Sequence, residues 1–306
     1  MLTYLFRKIL SFAILFIFLI FLILLLQKSR EGSAAIILGG QRSNAAEIQQ
    51  LENLAGENLS GFAHFKSILI AMLHLDFGKS ISGQPVPGAV FEAAQKTIAL
   101  ALFAGIFSLL YGVVPGVYGH YKTRFRKKLQ NLNYFILATP IFIIGLLAMW
   151  IFSLFLKWFS PGGVDSAFWF VLPGLALGLK SGAQLYLFTD EFMAHELKKQ
   201  YITTAIAYGY GRWKIISVYA LKSMALPLLS FWLLELGSYL AGAAIVEMIF
   251  SIPGIGSLLL KALMRYDINL LIGVLVFVSV MIFIITLLHE FIDKIYAGYT
   301  GKTNEN

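Results

Sequence analysis

Residues 201–227 read YITTAIAYGYGRWKIISVYALKSMALP, a polar, small-residue stretch between two strongly apolar ones. Ile202, Ala205 and Ile206 recur at helical spacing, and Gly209 and Gly211 permit a sharp reversal after one short helix. A second helix over 212–225 leads to Pro227, where a membrane span can start because a missing N–H costs little in a first helical turn. The expectation is a helix, a turn and a helix at a membrane face. A short helix of this kind docks in a groove on a soluble partner. The plainer alternative is an amphipathic linker lying on membrane lipid.

Composition outside this stretch calls for a bilayer. With 58% hydrophobic and 13% charged residues among 306, and a mean hydropathy of +0.78, the chain has too few charges to cover a water-facing surface. A helical span needs about 20 apolar residues to cross about 30 Å of hydrocarbon. Six stretches qualify: 9–26, 97–118, 132–159, 168–188, 228–250 and 270–292. They are continuous apolar runs, whereas transmembrane strands alternate. The expected fold is all-α and integral to the membrane, with six transmembrane helices.

The cations orient it. Arg7 and Lys8 precede the first span, and Lys122, Arg124, Arg126, Lys127 and Lys128 crowd the link between the second and third. Both regions should be cytosolic by the positive-inside rule. Six spans then return the C-terminus, with Lys294 and Lys302, to the cytosol beside residues 201–227, and turn the links at 160–167 and 251–269 outward. The net charge of +8 is accounted for by topology, so no nucleic-acid partner is expected. The first apolar run exceeds the usual h-region of a signal peptide, so an uncleaved anchor is expected. Residues 27–96 should then form a small extracytoplasmic helical lobe, with helices around Ile48, Leu51 and Leu54 and over 62–75, and a Gly/Pro-rich stretch at 78–88.

The stretch at 201–227 resembles the cytosolic EAA motif of ABC importer permeases: Glu, Ala, Ala, three residues, Gly, nine residues, Ile, any residue, Leu, Pro. Thr203, Thr204 and Ala205 stand at the Glu-Ala-Ala positions, Gly209 at the glycine, Met224 at the isoleucine, and Leu226 and Pro227 at the closing pair. Thr203 and Met224 depart from the pattern, and so does the spacing, since fourteen residues rather than nine separate Gly209 from Met224. The dipeptide/oligopeptide branch commonly reads Tyr-Val-Arg-Thr-Ala-Arg-Ala-Lys-Gly here, and Tyr201, Thr204, Ala205, Ala207 and Gly209 match it. Val246-Glu247-Met248-Ile249-Phe250-Ser251-Ile252-Pro253-Gly254-Ile255-Gly256 resembles that branch's Val-Glu-Thr-Val-Phe-x-x-Pro-Gly-Leu-Gly, and Pro140, Phe142 and Gly145 fit its Pro-x-Phe-x-x-Gly. Gly32-Ser33-Ala34, Leu75-Asp76-Phe77-Gly78-Lys79-Ser80, Leu172-Pro173 and Arg265-Tyr266-Asp267 resemble it more loosely. Two departures stand out. Asp190, Phe192 and His195 replace an arginine-rich stretch, and Gln95-Lys96-Thr97 replaces Pro-x-Thr.

The resemblance spans almost the whole chain and implies a permease subunit of a binding-protein-dependent importer in a bacterial cell inner membrane. It implies an anchor helix and lobe over 1–96, and a five-helix core over 97–306 with a coupling loop at 190–227. Implied ATPase-coupling residues are Tyr201, Thr203, Thr204, Ala205, Ala207, Tyr208, Gly209, Leu226 and Pro227. Glu247, Pro253, Gly254 and Gly256 become an extracytoplasmic gate; physically, Pro253 and Gly254 break a helix there. Implied partners are a second homologous permease, two ABC ATPase subunits and an extracytoplasmic substrate-binding protein. Peptide is the leading cargo, and nickel, glutathione, haem or modified peptides belong to the same branch.

No nucleotide site is expected in this chain. Gly78-Lys79-Ser80 and Gly301-Lys302-Thr303 carry Leu73 and Tyr296 where a phosphate-binding loop needs glycine. There are no cysteines, and His64, His74, His120, His195 and His289 show no metal-ligand spacing, so neither a metal site, a cofactor nor catalytic chemistry is expected.

Glu235 lies about 12 Å of helix rise past Pro227, at hydrocarbon depth. An ionisable group there faces a pore or a partner helix. It is expected either to line the translocation path or to be neutral and hydrogen-bonded to a neighbouring helix. Small residues four apart, Gly237 with Ala241 and Ser238 with Gly242, suit a seam with the second permease. An ion-coupled secondary transporter with Glu235 as proton carrier is the runner-up, although the inverted repeats it would need are not visible. A non-transporting membrane scaffold is a third reading.

Overall fold

The computed structural model describes residues 77–265 and 267–300, with Ile14, Ile17 and Ile70. The expected first span, the two lobe helices, the Gly32 motif, Tyr266 and Lys302 fall almost wholly outside the described residues. Among those described, α1 (Val86–Tyr121), α2 (Thr123–Ala138), α3 (Ile141–Ala148), α4 (Val171–Glu196), α5 (Gln200–Ala207), α6 (Leu221–Ile249), α7 (Ile255–Arg265) and α8 (Ile268–Thr300) follow in order. π-Helical turns over Met149–Phe155 extend α3, and a short helix Arg212–Lys214 leads through a second π-helical stretch, Ile215–Ala220, into α6. The only β-pairing among the described residues is an isolated bridge between Lys79 and Pro85.

Three helical stretches are long and apolar enough to cross a membrane, Val86–Tyr121, Arg212–Tyr239 and Ile268–Gly298. A fourth is reached if the bent pair Thr123–Ala138 and Ile141–Phe155 counts as one span. The expected span over 132–159 is thus made of two pieces meeting at 101°. Pro140 is the cause, since it has no N–H to donate and pushes the preceding residue out of the helical region. Thr139 accordingly has φ −80° and ψ 125°. Its hydroxyl donates to the Phe135 carbonyl at 2.9 Å, and Lys180 Nζ donates to the Thr139 carbonyl at 3.0 Å, so the broken end is not left bare. The expected span at 168–188 falls from residue 171 on within α4, where Lys180, Ser181 and Gln184 add polar groups to the apolar run.

Pro227 also differs from expectation. It does not open a span but lies inside α6, downstream of a helix that already runs from Arg212. The π-helical stretch before α6 buries Ile215, Ile216 and Ala220, and this packing carries the chain into the span without a break.

The chain divides into two compact units, residues Met1–Gln95 with Ser257–Phe283, and Lys96–Gly256 with Ile284–Asn306. In the first, Asp267 caps α8 by accepting from Leu270 N at 3.1 Å. Its other oxygen accepts from Ser80 Oγ and from Ile81 N at 2.9 Å, which fastens the turn Ser80–Gln84. In the second, α1 and α4 cross at a seam of small residues. Added Cβ atoms at Gly112 and Gly116 would strike Leu185 and Thr189, while at Gly178 and Gly182 they would strike Ala104 and Tyr111. Such four-residue spacing of small side chains brings helix backbones close without a hydrophobic drive from water. On α1, Ile98, Leu102, Ile106, Leu110 and Val114 form an exposed apolar stripe, as a lipid-facing or subunit-facing helix requires. A Cβ added at Gly237 would meet Ile285 of its own chain at 3.9 Å, an ordinary contact, whereas one at Gly105 of α1 would strike Leu236 and Trp232 of α6.

Candidate functional site

The geometry at 190–227 is fixed by two buried carboxylates on α4. Asp190 is 4% exposed, and Arg126 grips it in a bidentate fork, Nε to Oδ1 at 2.6 Å and Nη2 to Oδ2 at 3.0 Å. Gln130 donates to Oδ2 at 2.7 Å, and His120 Nε2 lies 3.0 Å from both Oδ1 and the Asp190 carbonyl. Burial alone would raise the Asp190 pKa, but the hydrogen bonds from His120, Arg126 and Gln130 and the Arg126 charge hold it well below the ordinary carboxylate range. The same hydrogen bond raises the Arg126 pKa. This cluster joins the C-terminal end of α1, the start of α2 and the end of α4.

Glu196, one turn and a half further on, is 1% exposed and ties three elements together. Tyr201 OH, at the start of α5, and Ser223 Oγ, on α6, donate to Oε1 at 2.7 and 2.6 Å. Lys199 Nζ lies 2.6 Å from Oε2. Burial pushes the Glu196 pKa up, and these donors outweigh it and hold it down. The Tyr201 hydroxyl is pushed up by burial and by its bond to Glu196.

On this base sits α5. Ile202 and Ala205 are buried with Met193, Ile216, Met224 and Leu228 in one apolar cluster. The other face, Thr203, Thr204, Ile206, Ala207 and Tyr208, is exposed. A Schellman cap ends the helix: Gly209 N donates to the Ile206 carbonyl at 2.9 Å and Tyr210 N to the Ala205 carbonyl at 3.2 Å, with Gly209 at φ +77°. Gly211 has φ −65° and merely precedes the next helix, so the reversal needs one glycine and not two. Arg212 Nη2 donates to the His120 carbonyl at 2.9 Å, and Trp213 packs on Tyr121 at 5.3 Å. Met224 is fully buried beneath α5, packed in the same cluster as Ile202 and Ala205.

The other expected residues lie elsewhere on α6 and beyond its end. Glu247 is fully buried, twenty residues past Pro227, or about 30 Å of helix rise. Thr97 Oγ1 donates to Glu247 Oε1 at 2.6 Å and accepts from Ile255 N at 2.8 Å. The turn Pro253–Gly254 folds onto this pair so closely that a Cβ at Gly254 would overlap the Glu247 carboxylate, and one at Gly256 would overlap Ala244. Threonine is the member of the Pro-x-Thr motif that survives here, and the structure shows what it holds.

Glu235 is 7% exposed and, with Lys180, Ser181, Gln184, Ser238 and Tyr239, lines a cavity of about 230 Å³. The structure therefore brings Tyr201 to Gly209 together on one platform, Glu247 to Gly256 in another place, and Glu235 between them along α6. Sequence reasoning missed Arg126, Gln130 and Lys180 as partners. It saw Asp190 only as a departure, and the signal available was a cluster of acids, Asp190, Glu191 and Glu196, in a chain whose link at 122–128 is basic.

Residues 108–297 match the model of a family described as binding-protein-dependent transport system inner membrane component. A provisionally named peptide transport system permease protein of Brucella abortus is 26% identical over 283 residues, 89% of each chain. The glutathione transport system permease protein GsiC of Salmonella typhimurium is 26% identical over 301 residues, 97% of each chain. Among solved structures, the inward-facing MetNI methionine ABC transporter aligns with a TM-score of 0.59 at 13% identity, over 68% of this chain and 95% of that one, a likeness of fold.

Proposed function

Because the chain belongs to the family of binding-protein-dependent transport system inner membrane components, permease subunits of ABC importers, we propose that its cargo is a peptide and that it works by alternating access. In this family the ATPase is a separate subunit and the permease carries no catalytic centre. The peptide reading is supported by the Brucella relative.

The observation that carries the mechanism is α5: a short helix with one face fixed by Ile202, Ala205 and Glu196 and the other, Thr203 to Tyr208, exposed. We assign that exposed face to a groove on an ATPase, with Tyr201, Gly209, Leu226 and Pro227 setting its pose. Closure of two such ATPases on ATP pulls α5, and through Glu196 and Ser223 the movement reaches α6. Glu235 then lies on the translocation path, and Glu247, Pro253, Gly254 and Gly256 form the outward gate where a loaded binding protein docks. A second, homologous permease completes the path. Both termini and α5 then lie in the cytosol, in line with the basic link at 122–128.

Reconstitution with candidate ATPase, binding-protein and permease subunits from the same genome tests it. Peptide uptake that requires ATP hydrolysis and the binding protein is expected; uptake driven by an ion gradient alone would overturn it. Glutathione is the second reading, favoured by a relative matched over 97% of both chains, and the same vesicles distinguish the two by competition.

A further inference from the structure

The cavity beside Glu235 is built from two helix faces. Leu177, Lys180, Ser181 and Gln184 recur at helical spacing on α4, and Glu235, Ser238 and Tyr239 do so on α6, with Ile141 of α3 closing one side. Two of its hydroxyls are already committed. Tyr239 OH donates to Ser108 Oγ at 3.1 Å, Ser108 donates to the Gly105 carbonyl at 2.8 Å, and Ser238 donates to the Leu234 carbonyl at 3.4 Å.

Three groups are not. Glu235 Oε2 is buried without a hydrogen-bond partner. Lys180 gives one proton to the Thr139 carbonyl, and an ammonium has more to give. The Gln184 side chain is exposed and has no hydrogen bond among the described residues. A buried carboxylate oxygen without a donor is costly at membrane depth, and a ligand that donates to it offsets that cost. A bare metal ion fits poorly beside Lys180, and a purely anionic ligand would face Glu235. A group that carries a cation next to an acceptor oxygen answers both.

We propose that this cavity takes the aminoacyl end of the cargo: Glu235 accepts from the substrate's ammonium group while Lys180 and Gln184 donate to the carbonyl beside it. At about 230 Å³ it is smaller than the roughly 300–1,000 Å³ of sites that enclose a drug-sized ligand, so it holds one end of an extended molecule and leaves the rest in the path. The Tyr239 hydroxyl, committed to Ser108 behind it, makes a fixed wall. The inference rests on the peptide-importer reading and adds to it the substrate group recognised and the residues that recognise it.

The test uses the complete transporter in proteoliposomes, with two probes: the dipeptide Ala-Phe, and propionyl-Phe, which lacks only the ammonium. Each is first loaded to saturation on the binding protein, so that differences arise in the permease. Wild type is expected to import Ala-Phe about tenfold faster, the worth of one charge-assisted hydrogen bond. Glu235→Gln is expected to shrink that preference to within about twofold, and Glu235→Asp to keep most of it, which a merely structural role for Glu235 would not produce. Gln184→Lys, at an exposed position that tolerates a longer side chain, places a cation beside the ammonium and is expected to abolish the preference even if the Glu235 variants fail to assemble. A full tenfold preference retained in Glu235→Gln or in Gln184→Lys overturns the proposal while leaving the importer reading intact. Import of neither probe by wild type overturns the peptide cargo itself.

Discussion

Asp190 and Glu196 are the residues on which the geometry around α5 turns. Removing one partner from a buried ion pair strands the other, at a cost of about 3–5 kcal/mol when both are fully enclosed. Arg126 remains a third exposed, so Asp190→Asn should cost about 2 kcal/mol, read as a lower thermal midpoint in detergent. Arg126→Gln should cost less in the Asp190→Asn background than alone, since the shared contact is already gone. Strict additivity would show that the fork contributes nothing. The pH dependence follows from the same pair. Both carboxylates have depressed folded pKa values, so the unfolded chain binds more protons in acid. Their stabilisation is fully present above about pH 4.5, the unfolded range, and is lost as pH falls through the folded values. Stability should therefore be insensitive to these groups between about pH 6 and 8 and fall below about pH 4, with a shallower fall in Asp190→Asn. An equal slope in both proteins would contradict the assignment.

At the scale of elements, the α5 turn separates two glycines that look alike in sequence. Gly209 lies at φ +77° and Gly211 at φ −65°, with open space around both. Gly209→Ala should cost about 1–2 kcal/mol locally and weaken association with the ATPase, whereas Gly211→Ala should be close to neutral. Co-purification of the ATPase with each variant checks this, and equal retention would refute the role given to the cap. Helix periodicity and glycine placement made α5 and its reversal at Gly209 legible in the sequence, but of the apolar residues at helical spacing only Ile202 and Ala205 are buried, and Ile206 is exposed. The break at Pro140 was less legible, because an apolar run looks continuous to a hydropathy reading even where proline forbids a straight helix. Pro227 misled in the opposite sense: position suggested a helix start, and packing of Ile215, Ile216 and Ala220 overrode it. Side-chain partners such as Arg126 with Asp190 are 64 residues apart, and nothing in local spacing joins them.

For the whole molecule, the family fixes the class of machine, a membrane permease driven by a separate ATPase, and the central claim concerns where the two meet. The chain has no cysteine, so single cysteines report without background. The most direct measurement places cysteine at Ile206 or Tyr208, both exposed on α5, and in parallel at Val114, exposed on α1. A partner cysteine goes in the ATPase groove, and disulfide formation is scored in native membranes with and without ATP. The account predicts crosslinking from 206 and 208, altered by ATP, and none from 114. Labelling of 206 and 208 from outside intact cells by an impermeant maleimide, with no crosslink to the ATPase, would contradict it.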